Sequence, residues 1–553
     1  MLLRRFALAA LAASLVMPAL RAAEPTRADA EKDPILKAML TELDRSMASL
    51  QLKDFQKPFF IQYRVEDIDD FDTRASFGAS LGANRSKARV VRVTVLVGDY
   101  KTDSSTPRGD GVAELTTVDN DPIALRSTLW AVTDQAYKTA LAAYAQKQAE
   151  LKQVQTPPQA DDLSHEKPVV SLSAPGALTL DARAETDWTA RVAKWSGLFR
   201  TDATVKALLP DIEYSNATFH ARSDTTRLVN SEGTIMRRAE TVYTEGFGVG
   251  TQAADGMHLD RSGASNGVVL SDIDSPEKFE KHAVELIASL GDLKKAPVIE
   301  DEYHGPVLLS SDAAATALNR LLGSSFMGTR PRLGTEARTG SAFASSYHAR
   351  VLPDFLDVVD DPALATWEGK RLLGSYDIDD EGVPAQQVSL VAAGKLENYL
   401  IGRQPVRDFP QSNGHGRASV AGPARPMPSV LKITAKDGLS DDALQKKLID
   451  LAKDRDLKNV YYVETMGGPL TPRLVYRISP DGKRELVRGA TLADLDLRAL
   501  RSSVNAAGNT LWLDNLATDI PESVLAPALL FDDLTLKKAN EKNDKLPFYP
   551  APE

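Results

Sequence analysis

The 553-residue sequence contains no cysteine. That absence excludes disulfides, thiolate zinc sites, iron–sulfur clusters and cysteine nucleophiles. Histidine is scarce as well, and 7 residues must supply whatever imidazole chemistry the chain performs. Basic charge is in deficit: 66 Lys and Arg stand against 76 Asp and Glu, a formal net charge of −10. Such a balance repels phosphate backbones and argues against nucleic acid as a partner. There is no Walker loop and no G-x-G-x-x-G following a strand. Past the N-terminus, no apolar run approaches the roughly 20 residues that span a bilayer. What the chain does have, 43% hydrophobic residues, is enough for a sizeable core. At roughly 100–200 residues per domain, its length implies two to four folding units.

The first 23 residues, MLLRRFALAALAASLVMPALRAA, read as a secretory signal peptide. Arg4 and Arg5 form the positive end, Phe6 to Met17 the apolar run, and Ala22 and Ala23 the small residues of a cleavage site. The run is short for a membrane anchor. The expectation is therefore an exported, periplasmic protein with no membrane span once residues 1–23 are removed. The arginine pair leaves the general secretory and twin-arginine routes both open. Losing Arg4, Arg5 and Arg21 takes the formal charge from −10 to −13.

Helix and strand signals alternate along residues 24–299. Asp33-Pro34 opens a helix whose Leu36, Met39, Leu40, Leu43, Met47 and Leu50 recur at helical spacing. Strands are predicted over Phe59 to Val65 and around Val91 to Val97. A long Ala/Gln/Lys-rich helix is predicted over about 121–155, then a Pro-rich linker over 157–175. Ser275-Pro276 caps a helix carrying Phe279, Ala283, Leu286, Ile287 and Leu290 on one face. Residues 300–553 have another texture, with short strands, glycine turns and a capped helix over Ser440 to Leu451. Pro480-Asp481-Gly482 joins strands at Leu474 to Ile478 and Glu485 to Val487. The fold class is read as α+β in two domains. The N-terminal one is mixed α/β, and the C-terminal one is largely antiparallel β and barrel-like.

Four strings in the second half carry more specific information: GSYDIDDEGVPAQQVSLVAAGKLENYLIGRQPV, SNGHGRA, PARPMPSVLKI and RGATLADLDLRAL. The turn Asp379-Asp380-Glu381-Gly382-x-Pro384-Ala385, followed by Gly394 and Leu396, resembles the hallmark of the TldD/PmbA family. These are the metallopeptidase-related proteins also called modulators of DNA gyrase. Asn230-Ser231-Glu232-Gly233 is similar to an N-S-x-G element of that family's N-terminal domain. The resemblance runs from about His304 to Leu513, and more loosely from about Ala190 to Gly291.

The resemblance implies two kinds of subunit. One bears a zinc-binding H-E-x-x-x-H helix, completed by a cysteine, and the other lacks it and pairs with the first. Laid on that motif, SDAAATALNRLLGSSFMG places Asn319 at the first histidine, Arg320 at the glutamate and Ser324 at the second histidine. An amide and a hydroxyl are poor zinc ligands beside imidazole. A guanidinium accepts no proton and repels a divalent cation. The expectation is a catalytic set of none, with no metal and no cofactor of its own, zinc being held by a partner if anywhere. The resemblance implies a heterodimer with a zinc-bearing TldD-like subunit, or a homodimer, handling peptides or unfolded protein. The alternative is a metallopeptidase active through a non-standard site. A gyrase-modulating role fits poorly with a signal peptide and acidic charge.

Candidate peptide contacts are Asn413, His415 and Arg417, because the resemblance puts this segment near the cleft, together with Arg320. The competing reading of 413–417 is a structural glycine turn whose arginine braces the acidic residues Asp379, Asp380 and Glu381. The cluster Asp377, Asp379, Asp380 and Glu381 does not have the spacing of a calcium-binding helix–loop–helix. It is read as a solvated turn.

Overall fold

The computed structural model describes residues 25–105, 110–155, 160–208 and 212–539. The signal-peptide reading falls on residues 1–23 and lies outside them. The N-terminal part is built on one seven-stranded sheet. Its order is Val112–Thr116, Ala79–Leu96, Phe60–Ser76, Ile212–Asn230 and Ile235–Gln252, with Val170–Leu172 and His258–Gly267 both pairing with the last of these. All pairs are antiparallel except Val170–Leu172, which runs parallel to Ile235–Gln252.

Four helices cover one face of this sheet. Pro34–Ser49 and Pro122–Leu151 lie over Ile61, Tyr63, Val65, Val91 and Val93, all buried. Ala182–Ser196 and Pro276–Lys295 cover the other half, where Trp188 stacks on Phe219 at 3.7 Å between ring centroids. Each start is chemically marked. Asp33, Asp121, Asp181 and Ser275 accept hydrogen bonds from backbone N–H groups of the first turn. The opposite face is charged, carrying Arg64, Glu66, Arg92 and Arg238, and it meets the C-terminal domain through them.

The long hairpin Phe60–Ser76/Ala79–Leu96 extends well beyond the two strands that the apolar alternation predicts. Its distal half, EDIDDFDTRAS against GANRSKAR, has no apolar period to read. It is held by its backbone ladder, by Phe71 and Ala75 buried in the core with Trp188 and Phe219, and by ion pairs such as Arg85–Asp69 at 2.7 Å. The stretch read as a linker is described from residue 160. It holds Asp162, Leu163 and Ser164 buried and then supplies the strand Val170–Leu172.

One buried group ties this domain to pH. Glu245 is fully buried beneath the second helix pair, and burial, with help from the neighbouring Asp274 carboxylate, pushes its carboxyl up to about 8. The unfolded chain then releases this proton at lower pH than the folded one. Stability falls as pH rises from about 4.5 towards about 8, by at most about 1.4 kcal/mol per pH unit from this group. Glu245→Gln is expected to flatten that slope, which urea melts between pH 5 and 8 will show.

The C-terminal part is an eleven-stranded mixed sheet. Its path runs Lys395–Leu396, Val388–Ala392, Leu356–Asp360, Val430–Ala435, Glu522–Lys538, Tyr303–Leu309, Val460–Gly467, Thr471–Ile478 and Arg484–Val487. Ala490–Leu492 and Val504–Leu516 also pair with Glu522–Lys538. Two pairs are parallel, Val430–Ala435 with Glu522–Lys538 and Tyr303–Leu309 with Val460–Gly467.

The barrel-like expectation is thereby corrected. Among the described residues the end strands 395–396 and 484–487 do not pair with each other, so no barrel closes. The reason lies in the layers. Helix Ser311–Leu322 packs Ala314, Leu318 and Leu322 with Leu309, Leu529 and Phe531. Helix Asp441–Asp454 packs Leu444 and Leu448 with Leu308 and Leu530. Neighbouring strand residues point to opposite faces, so both faces of the sheet are buried by helices and closure is unnecessary. The Leu474 to Ile478 hairpin forms as predicted, Val475 facing Val487.

Candidate functional site

The helix Ser311–Leu322 begins at Ser310, whose hydroxyl accepts from the Ala313 N–H at 3.0 Å and donates to the Glu464 carbonyl at 2.6 Å. Its alanines at 313, 314, 315 and 317 let it lie close on the sheet, all fully buried. The helix stops at Leu322 and a 3₁₀ turn, Gly323–Phe326, follows, so Ser324 stands outside the helix. Asn319 is half-buried, while Arg320 and Ser324 are exposed. The three positions expected to align with the zinc motif are thus an amide, a solvated cation and a hydroxyl on a turn.

Asn319 has a neighbour that sequence reading did not find. Its amide lies near the carboxyl of Glu522, at the start of the strand Glu522–Lys538, and favours that carboxyl's charged form. Burial, with the nearby Asp360 charge, pushes Glu522 up to about 7, and Asn319 and Arg417 pull it partly back. At the other end of the same helix, burial and the Asp514 carboxylate push Asp312 up to about 6. Asp514 is itself raised by burial. The exposed face of the helix is therefore flanked by carboxyl groups that hold protons more readily than free ones.

These residues do not fit zinc. An amide and a cation stand where imidazole and carboxylate would be needed, and the chain offers no thiolate. Among the described residues no three His, Asp or Glu side chains converge as a metal site. What the arrangement retains is Glu522, a group able to exchange a proton near neutrality.

In the acidic turn Asp377 is exposed, but Asp379 and Asp380 are buried, and the solvated reading is corrected for those two. Asp379 is fully buried and accepts from the N–H groups of Glu381, Val383 and Gly416 at 3.0, 2.8 and 2.8 Å. Burial and the adjacent Glu381 raise its carboxyl well above the ordinary range. Asp380 accepts from Arg238 at 2.6 Å, from Arg417 at 3.3 Å and from the Ala418 N–H at 2.8 Å. Burial opposes its ionisation, but Arg238 and Arg417 outweigh it and hold the carboxyl at about 2. Because Arg238 belongs to the N-terminal sheet, this pair fastens the two domains together. Glu381 accepts from the Arg403 N–H at 2.6 Å, and a Cβ on Gly416 would lie 2.1 Å from its Oε2. The glycine at 416 is required by that close approach.

The candidate peptide contacts at 413–417 are placed inside the same network. His415 is fully buried, with Nδ1 3.0 Å from the Asn413 carbonyl and Nε2 3.1 Å from Asp360. Burial pushes Asp360 up, but His415 and Ser429 hydrogen bonds hold it below the usual carboxylate value. Asn413 donates to the Tyr399 carbonyl and accepts from the Ile401 N–H, each at 2.8 Å. Arg417, 2% exposed, lies over the Tyr376 ring at 4.4 Å. Of the four candidates, Arg320 alone is exposed. Glu522 and Asp360, which the sequence reading passed over, connect the helix end to this network.

Comparison with known proteins agrees with this architecture. Residues 302–538 match the family model of the PmbA/TldA metallopeptidase C-terminal domain. Metalloprotease TldD homologs of two Buchnera aphidicola subspecies, Acyrthosiphon pisum and Schizaphis graminum, are each 25% identical over 248 residues. The match covers 42% of this chain and 47% of those proteins, so the chain spans about half the length of the curated relatives it matches. The solved structure of TldE from Thermococcus kodakarensis has the same fold, with a TM-score of 0.60 at 12% identity over 90% of this chain and 99% of that one. A Thermotoga maritima protein described as a modulator of a DNA gyrase follows at 0.58 and 14%, covering 86% of this chain and 96% of its own.

Proposed function

From the premise that this chain belongs to the TldD/PmbA metallopeptidase family, we propose that it is a zinc-less, non-catalytic subunit. It pairs with a zinc-bearing relative, or with a second copy of itself, to bind and process peptides or unfolded protein. The observation that supports this reading is the donor set at the helix end: an amide at Asn319 near the Glu522 carboxyl, an exposed cation at Arg320 and a hydroxyl at Ser324. A metal there would sit against a fixed positive charge. The strand Val504–Leu516 supports a peptide-holding role. It pairs with Glu522–Lys538 on one side, and beyond the Gly508 bridge its other edge meets no named strand among the described residues. An extended peptide added there would lie beside the helix Ser311–Leu322. Delivery to the periplasm by residues 1–23 is part of the same proposal. Among the described residues no helix is long and apolar enough to cross a membrane.

The test is metal content together with reconstitution. After incubation with zinc and dialysis, the purified chain is expected to retain far less than one zinc per molecule, by plasma mass spectrometry. It is expected to co-purify with a zinc-bearing relative encoded beside it, with peptide cleavage appearing in the mixture. The second reading, a peptidase in its own right, draws on Glu522 and its proton exchange near pH 7. Cleavage by the chain alone that disappears in Glu522→Gln would establish that second reading and overturn the first.

A further inference from the structure

A cavity of about 600 Å³ lies between the helix Pro122–Leu151 of the N-terminal domain and C-terminal loops around 329–333, 402–404 and 423–426. A narrower space of about 60 Å³ continues it, sharing Glu381, Arg403, Pro423 and Ala424, and reaching Arg64 and Arg92 on the charged face of the sheet. The size suits a small ligand or a short stretch of peptide.

Its lining is strongly basic. Lys147 and Arg330 are already matched by Asp162. Arg403 is paired with Glu232 and Arg64 with Glu66; Arg92, Arg332 and Arg425 remain, and the described acidic residues of the lining are Asp110, Glu150 and Glu381. Glu381 is spent on the Arg403 N–H, and burial favours its neutral form.

Two of the arginines are built into the wall with donors left over. Arg403 is 2% exposed and uses its Nη atoms on Glu232 and the Ser164 carbonyl, yet its buried Nε–H has no hydrogen-bond partner. Arg64 is 3% exposed and donates through Nη2 to the Ser419 and Gly422 carbonyls. Its buried Nε makes no hydrogen bond, although it is ion-paired with Glu66 at 3.4 Å. Buried donors without acceptors are rare and costly, and a ligand oxygen would satisfy them. Burial, with the fields of Arg64 and Arg425, also disfavours the charge of Arg92, although Asp110 supports it. An anion would relieve that crowding.

We propose that this interdomain cavity binds the carboxylates of an acidic peptide. Planar guanidinium groups present forked donors that match a carboxylate in two-point fashion. Arg332 and Arg425 stand at the exposed rim and meet the peptide first, while Arg64 and Arg403 lie deeper. The inference rests on the peptide-handling reading above and names its substrate class. It also gives the chain a ligand site distinct from the 319–324 helix end.

Isothermal titration of the purified chain with triglutamate, triglutamine and inorganic phosphate at low ionic strength tests it. Triglutamate is expected to bind, and triglutamine at least about tenfold more weakly. Arg332→Gln and Arg425→Gln, both at exposed positions that leave the fold intact, are each expected to weaken triglutamate binding about tenfold. Equal binding of the two peptides, no triglutamate binding, or unchanged binding in both variants would overturn the proposal. So would phosphate binding without triglutamate binding, which would make the site one for phosphate. The assay needs neither partner nor metal. Failed pairing with intact triglutamate binding therefore sinks the subunit reading alone, and the converse pattern sinks this inference alone.

Discussion

Replacing Asp380 by alanine is expected to cost about 3–5 kcal/mol of stability, the penalty for breaking a buried ion pair from one side. The carboxylate is 3% exposed and serves Arg238 of the N-terminal domain together with Arg417 and the Ala418 N–H of the C-terminal domain. Without it, the two buried guanidinium groups have only Glu240, at 3.1 and 3.7 Å, to share as counter-charge, and the domains lose their central fastening. Asp380→Asn keeps an acceptor but removes the charge, and should fall between wild type and alanine. Urea melts followed by tryptophan fluorescence will rank the three. The same carboxyl is held at about 2, so its contribution is complete above the unfolded value near 4 and disappears as pH falls towards 2. An Asp380→Asn variant should therefore lose less stability on acidification than wild type does.

Asp360→Ala is the second large effect, expected at about 3 kcal/mol or more, because several buried donors lose their acceptor together. The Asp360 carboxylate is fully buried and accepts from His415 at 3.1 Å, the Ser429 N–H at 3.0 Å, the Ser429 hydroxyl and the Val430 N–H at 3.3 Å. It thereby sets the end of strand Leu356–Asp360 against the start of Val430–Ala435 and ties both to the 413–417 turn. His415→Ala should be milder, since Asp360 keeps its Ser429 and Val430 donors. If 413–417 is a bracing element, these two variants shift the denaturation midpoint and leave the peptide affinity of the surviving folded protein unchanged. A change in affinity without a change in midpoint would instead make His415 a peptide contact.

The helices show how much of the fold was legible in local chemistry. Pro34–Ser49, Pro276–Lys295 and Asp441–Asp454 begin where Asp33, Ser275 and Ser440 announce a cap, and bury the apolar stripes that the spacing marks. Caps and stripes are properties of a few adjacent residues, so they can be read one window at a time. The distal hairpin of the N-terminal sheet could not be read that way. Residues such as Asp69, Asp72, Arg85 and Lys87 carry no apolar alternation, and their strand state follows from the neighbouring strand that satisfies their backbone.

The candidate site divides along the same line. Side-chain identity within one helix and its following turn was enough to establish that residues 319, 320 and 324 are an amide, a guanidinium and a hydroxyl, and identity alone rules them poor zinc ligands. That Glu522 meets Asn319, that the 379–381 turn is buried between two domains, and that unsatisfied arginines gather around an interdomain cavity were decided by tertiary structure. Each depends on burial and on partners from distant parts of the chain. The energy of a charge or a hydrogen bond is set by what surrounds it, and neighbours in sequence do not determine those surroundings.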